Sequence, residues 1–382
     1  MNSAAHIPAH RVLYFTKAVR LFAFGSASIA LPVHLVALHV APIWIGTILA
    51  AALCAGAAQM FLTSRFTHAF GSTTVAVAAA LAMAVGGLLT VSGVLALIVL
   101  AAALGLLNAT AQEIGPFLPI EQVVLAWHDR GVDRMALYNA VGTGALAVGA
   151  IAGGALPFRT IFLLYAFCGL SAAILYAFAR IPVADVPPAV NRGRRRFGSS
   201  ERLAALFAVD AFAGGLIVQG FMAYWFVARF HAPAQTIGFI FAGGNILSAL
   251  SLFAAAWLSK RFGLLNTMVF THLPSNILLA LIPLSPSLSV AAALLLARYS
   301  LSQMDVPTRQ AFVIAVVPPH ERVYAAGITS AVRPIAASIS PLLSALAMQL
   351  ASAGIPFFAA GGIKAGYDLA VYFAFRYSRE HR

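Results

Sequence analysis

Eight charged side chains sit inside otherwise apolar stretches: Arg20, Glu113, Asp210, Arg298, Asp305, Arg333, Lys364 and Asp368. His272 joins them as a side chain type that gains charge between about pH 5 and 8. An ionised group at hydrocarbon depth costs about 2.5–3.5 kcal/mol on insertion scales, so each needs a partner or a wet cavity. Arg298 and Asp305 are seven residues apart, on one helix face and about 10 Å apart along its axis. Gln303 and Gln310 extend that polar stripe. Burial favours the protonated form of a carboxyl group, and an approaching guanidinium reverses the preference. Such a group suits proton uptake on one side and release on the other, and Asp305, Glu113 and Asp210 are the carboxylates placed for it. Arg20, Arg298 and Arg333 offer planar forks for an anionic group of a substrate, and Gln219, Trp225, Asn245 and His272 add further cavity contacts. A permanent ion pair or a helix–helix hydrogen bond is the competing role for each. Lys364 and Asp368, spaced i, i+4, read as neutralising one another.

Other chemistries lack their motifs. The chain has no G-x-x-x-x-G-K-S/T phosphate loop and no C-x-x-C, H-x-x-x-H or H-E-x-x-H spacing, so neither ATP-driven work nor a metal or other cofactor is expected. Cys54 and Cys168 lie in apolar runs and read as packing residues.

The elements that hold these charges follow from composition. Of 382 residues, 61% are apolar and 9% are Asp, Glu, Lys or Arg, against about 45–50% and about 25% in soluble domains. That is too little polar material for a water-facing surface, and a soluble enzyme is not expected. Twelve apolar runs emerge, each long enough at about 20 residues to span a bilayer: 17–38, 43–62, 73–92, 95–115, 135–156, 160–180, 203–228, 234–257, 264–284, 288–316, 323–352 and 356–376. Pro307, Pro334 and Pro341 are expected to kink the last runs. The first run has no small-residue cleavage site and reads as a permanent helix.

Net charge is +13, which in a soluble protein would suggest nucleic acid. Its distribution points elsewhere. The termini and alternate loops hold 18 Lys and Arg, the opposite loops only Arg159 and Arg229. The positive-inside rule then puts both termini in the cytoplasm. Residues 181–202, with Arg192 and Arg194 to Arg196, read as a cytoplasmic linker that could touch anionic lipid headgroups. It would join an N-terminal unit, 1–180, to a C-terminal unit, 203–382. Glu121, Asp133 and Glu321 fall in the cytoplasmic loops near Arg134 and Arg322, where solvated gate-side ion pairs are expected, and Arg309 is counted with the loop charges.

The units resemble each other. Arg20 to Gly25 aligns with Asp210 to Gly215, Ala41-Pro42 with Ala232-Pro233, and Ile45-Gly46 with Ile237-Gly238. Phe70-Gly71 aligns with Phe262-Gly263 and Glu113 with Asp305, the offset drifting from 190 to 192. A duplicated six-helix unit is a transporter architecture with its site near mid-membrane between the repeats. After the second run, Ser64-Arg65-Phe66-Thr67-His68-Ala69-Phe70-Gly71 keeps a base and the glycine of a G-x-x-x-D-R-x-G-R loop. Leu258 to Gly263 is the second copy, Gly149-Ala-Ile-Ala-Gly153-Gly154 approximates G-P-x-x-G-G with Ala150 at the proline, and Pro318 to Arg322 leads into Ala325-Ala326-Gly327. In these elements the chain resembles the major facilitator superfamily over nearly its whole length. The superfamily's fourth-helix arginine has no counterpart in 95–112; a base appears instead as Arg298 in the tenth run.

The resemblance implies an all-α membrane protein, twelve transmembrane helices in two pseudo-symmetric six-helix bundles, working by alternating access. It sets the first and seventh helices across a central cavity. Arg20 and Asp210 would then pair between bundles as a cytoplasmic gate, with Arg134, Glu321 and Arg322 beside them. The glycine element and an aromatic wall of Phe22, Phe24, Phe221, Trp225 and Tyr299 point to proton-coupled export of a small organic solute. Uptake or exchange of an organic anion, suggested by the arginines, stays open, as does a non-transporting sensor or assembly protein on the same fold. Expected partners are the solute, protons and lipid, with no nucleic acid, and the expected state is a monomer. Three Lys against 21 Arg suggest a GC-rich bacterial genome and a bacterial inner membrane.

Overall fold

The computed structural model describes residues 9–126, 131–179, 198–318 and 321–377. Most of the expected linker, including Arg192 and Arg194 to Arg196, lies outside them. Among the described residues every regular element is helical. In the first set these are α1 (Ala9–Ala37), α2 (Pro42–Phe70), α3 (Ser72–Val91), α4 (Leu95–Ala103), α5 (Phe117–Ala126), α6 (Gly131–Ala155) and α7 (Phe158–Ala179). The second set holds α8 (Ser199–Gly215), α9 (Gln219–Phe230), α10 (Ala234–Phe262), α11 (Leu264–Leu281), α12 (Leu288–Ser302), α13 (Asp305–Val316), α14 (Arg322–Ser338), α15 (Ser340–Leu350) and α16 (Ile355–Phe375). Nine helical stretches in these regions are long and apolar enough to cross a membrane. Phe61, Phe178, Phe253 and Leu350 stand exposed on their outer surfaces, as lipid-facing side chains do.

The repeat is visible in the turns. His39 and His231, 192 apart, both adopt left-handed backbone after α1 and α9, with φ of 53° and 52°. Gly71 and Gly263 end α2 and α10 with φ of +84°, a conformation that favours glycine. Pro42 opens α2 at its first position, where its missing N–H leaves no bond unmade.

Four of the expected runs are broken, the tenth and eleventh among those where prolines led one to expect a kink. The fourth is helical only in α4, and residues 104–116 then run irregularly to α5. Gly105, Ala111 and Gly115 all take positive φ there. Side chains satisfy the freed backbone, as membrane depth demands. Gln59 donates to the carbonyls of Leu104 and Gly105, and Asn108 Oδ1 accepts from the Thr110 N–H while its Nδ2 donates to the Gln112 carbonyl. The seventh run breaks at residues 216–218, the tenth at Gln303-Met304 and the eleventh at Ile339, just before Ser340-Pro341. Pro334 passes inside α14 without interrupting it.

Packing differs between the two ends of the molecule. On the side away from the termini, one apolar core runs through both sets, from Ile45, Leu49 and Phe24 to Phe221, Trp225 and Phe241. On the side of the termini there are two separate cores. Leu13, Ile120, Tyr138 and Tyr176 belong to the first set's, and Phe207, Met268, Phe312 and Tyr367 to the second's. Small residues make the common end tight: a Cβ added at Gly154 would meet the Ala234 carbonyl, and one at Gly46 the Ala345 side chain. Gln219 also crosses there, donating to Ser28 Oγ at 2.9 Å. The two helix sets therefore share one core at the far end and keep separate cores at the terminal end.

Candidate functional site

At the terminal end each set encloses a buried ionic cluster. In the first, α1 carries Lys17 and Arg20 on consecutive turns of one face, and the irregular 104–116 segment and α5 bring Glu113 and Glu121 to them. Arg20 forks onto Glu121, Nη1 to Oε1 at 3.0 Å and Nη2 to Oε2 at 2.8 Å, and reaches Glu113 at 3.1 Å. Its guanidinium lies 4.1 Å from the centre of the Phe117 ring. Lys17 pairs with Glu113. Thr16, Tyr138 and Tyr176 donate hydroxyl hydrogen bonds to Glu121. Two cations thus face two carboxylates in a site drawn from α1, α5, α6, α7 and the break.

The second cluster is built around Asp210 of α8. Arg333 of α14 lies 2.9 Å from Oδ2 and Arg309 of α13 at 3.3 Å, while Lys364 of α16 pairs with Oδ1. Arg309 also holds Asp305, one turn away, at 2.6 Å. His272 of α11 bonds Asp368 through Nδ1 at 2.8 Å, and its Nε2 is 3.9 Å from Asp210. Asn276 donates to the other oxygen of Asp368 at 2.9 Å. Three cations, Arg309, Arg333 and Lys364, stand against Asp210, Asp305 and Asp368, with His272 poised among them. Fork geometry and charge-assisted bonds make such contacts strong, and burial makes the loss of one partner costly.

The clusters occupy equivalent places in the repeat with unlike chemistry. At offsets of 190 to 192, Arg20 corresponds to Asp210, Glu113 to Asp305 and Tyr176 to Asp368. Arg333 and Glu113 are the accessible members, their side chains 29% and 18% exposed; the rest are buried.

Several expectations are corrected. Arg20 and Asp210 do not pair across the molecule, because each is compensated within its own helix set. Lys364 and Asp368 do not neutralise one another: their partners lie on α8 and α11. Glu121, expected in a solvated loop, is completely buried, and Lys17 and Arg309, counted with the loop charges, are buried too. Glu113 takes the competing role of an ion-pair member, with Lys17 and Arg20. Arg333 is engaged by Asp210, the competing ion-pair role. Trp225 is packed into the common core against Phe226, Phe230 and Phe357, and Gln219 ties α9 to α1. Glu321 accepts from Ser200 at 3.2 Å, Arg322 is exposed, and the side chains of Asp133 and Arg134 lie outside the described residues. Asn245 and Arg298 are buried along α10 and α12.

Sequence reasoning placed Glu121 and Arg309 in solvated loops and missed Tyr138 and Tyr176. A lone carboxylate in Phe117-Leu-Pro-Ile-Glu121-Gln-Val-Val and the i, i+4 spacing of Asp305 and Arg309 were the available signals.

No family model matches the chain. It is 21% identical over 389 residues to the Saccharomyces cerevisiae protein YJR124C, an uncharacterised membrane protein, covering 88% of this chain and 87% of that one. Among solved structures, an auto-inhibited POT family peptide transporter aligns with a TM-score of 0.74 at 14% identity over 97% of both chains. The nucleoside transporter NupG aligns at 0.70 and 14% over 97% of this chain and 98% of its own. The xylose transporter XylE from E. coli, in an inward open conformation, aligns at 0.71 and 13% over 95% of both. These relatives are transporters, not enzymes, and they share the major facilitator fold; at such identities the likeness gives this multi-pass membrane protein that fold.

Proposed function

We propose that this chain, with its major facilitator fold, is a secondary active transporter that moves a small organic solute across a membrane by alternating access. The observation that carries the proposal is the unequal packing of the two ends, one common apolar core at the far end and two separate cores at the terminal end. Rocking the sets about that common core would close the terminal side and open the Gly154–Ala234 and Gly46–Ala345 seams. Loop charge orients the molecule. Removing the buried Lys17 and Arg309 from the 18 leaves 16 basic residues on the terminal side against 2. The positive-inside rule then puts that side, and the opening, in the cytoplasm. A bacterial inner membrane is the proposed setting, and the monomer the working unit.

Proton coupling is assigned to the second cluster. Asp210 gathers three cations from three helices, so a change in its charge alters how α8, α13, α14 and α16 are held together. His272, bonded to Asp368 at 2.8 Å and 3.9 Å from Asp210, links the two carboxylates. Asp305 and Glu113, held by Arg309 and Lys17, serve as the ion pairs beside the moving helices. A proton moving down 100 mV supplies about 2.3 kcal/mol, enough to drive export of a solute.

The purified chain in liposomes with an imposed pH gradient tests this. Solute-dependent proton movement is expected for the native chain, and Asp210→Asn should reduce it at least about tenfold, one conformational step being shifted by ~1.4 kcal/mol or more. Unchanged proton flux in that variant would remove Asp210 from the coupling.

A further inference from the structure

Both ionic clusters are internally balanced, two charges of each sign in the first and three in the second. Arg298 is the exception. It is 7% exposed on α12, and its Nε has no hydrogen-bond partner. No carboxylate among the described residues lies within ion-pair distance of it, and Asp210 and Asp305 are already engaged by Arg309, Arg333 and Lys364. Its guanidinium lies 5.5 Å from the centre of the adjacent Tyr299 ring. A buried cation left without a counter-charge is costly, and fixed guanidinium groups are well suited to planar oxyanions.

More unpartnered groups flank it. Ser302 Oγ, one turn along α12, and Asn245 Nδ2 and Ser248 Oγ, one turn apart on α10, are all buried without a partner. These residues are 6%, 8% and 5% exposed. The two helices touch where Tyr299 packs on Gly244, which a Cβ would prevent. They run in the same direction, so the contact brings Asn245 level with Arg298 and Ser248 level with Ser302, to within about a turn. Along this wall Arg298 Nε, Asn245 Nδ2, Ser248 Oγ and Ser302 Oγ have no acceptor among the described residues. The surroundings are apolar and aromatic, with Phe241, Leu295 and Tyr299 in the common core.

We propose that the α10–α12 wall binds the carboxylate of a small organic monoanion, with Arg298 as its counter-charge and Asn245, Ser248 and Ser302 as hydrogen-bond donors. The assignment rests on the transporter reading and names its substrate class. A single uncompensated positive charge matches a monoanion, whereas a phosphate dianion would leave an excess negative charge; the aromatic wall suits an apolar body.

Thermal unfolding of the full chain in detergent tests the site. The probes are acetate, butyrate and benzoate, with butyramide and benzamide as neutral isosteres. Chloride, inorganic phosphate and phosphatidylglycerol micelles are the competing anions. A monocarboxylate is expected to raise the unfolding temperature by several degrees, and its amide to leave it unchanged. Arg298→Gln should abolish that shift while unfolding, without ligand, no earlier than the native chain, because it removes an uncompensated charge. Arg298→Lys should keep a weaker shift. The site is overturned by a carboxylate shift that survives Arg298→Gln, by equal shifts from the amides, by shifts only from chloride, phosphate or phosphatidylglycerol, or by an unliganded Arg298→Gln protein that unfolds earlier. Movement of the two helix sets, read by spin labels, is a separate readout. A carboxylate shift in a protein whose labels stay fixed upholds the site and sinks the transporter reading; moving labels with no carboxylate shift do the opposite.

Discussion

Glu121 accepts hydrogen bonds from Thr16, Arg20, Tyr138 and Tyr176 with no exposure to solvent. Removing one partner of a buried ion pair costs about 3–5 kcal/mol, since the other charge is left uncompensated. Glu121→Gln is therefore expected to lower the unfolding temperature in detergent markedly. Glu113→Gln, at an accessible position, should lower it much less. Equal effects would mean that Arg20 does not depend on the Glu121 fork. The charged members of both clusters were mostly legible, because an ionised side chain in an apolar run has few alternatives to a partner. The partners were not. Which carboxylate meets Arg20 depends on how α5 and α7 fold against α1, and sequence spacing within one helix carries no trace of that. The Lys364–Asp368 spacing misled for the same reason: an i, i+4 pair on a surface helix stabilises by a few tenths of a kcal/mol, less than a buried carboxylate on a neighbouring helix offers either side chain.

Helix positions followed closely from hydropathy, and helix continuity did not. Glycine and proline are more frequent in membrane helices than in soluble ones, so Gly105 and Gly115-Pro116 left the fourth run looking unbroken. Only the structure shows Gln59 and Asn108 taking over the freed carbonyls and amides. The glycines of α6 have a plain role in close packing, Gly149 and Gly153 against the α1 backbone and Gly154 against α10. Gly154→Val should prevent the far-end seam from closing, overpacking there costing about 1–3 kcal/mol. In a background with Cys54 and Cys168 replaced, a cysteine placed by Ala150→Cys, whose backbone faces Gly238 in that seam, should then react with a membrane-permeant maleimide about tenfold faster than in the Gly154 protein. An unchanged rate would show that the seam tolerates the extra volume.

Across the whole molecule, the repeat seen in residue pairs 190 to 192 apart reappears as matching turns and matching cluster positions, yet the clusters differ in polarity. Duplication thus kept the backbone plan and released the side chains to specialise: a balanced, tyrosine-lined cluster in one set and an aspartate hub with a histidine in the other. The separate cores at the terminal end were not legible, because hydropathy marks the buried face of each helix and not which helix set covers it.

Paired spin labels measure that directly. In the Cys-replaced protein in liposomes, Leu137→Cys with Trp257→Cys reports the terminal ends of α6 and α10, and Leu156→Cys with Gln235→Cys their far ends. Alternating access predicts two distance populations for each pair, the terminal pair shortening as the far pair lengthens when solute or pH changes. A single fixed distance at both ends under every condition would contradict it.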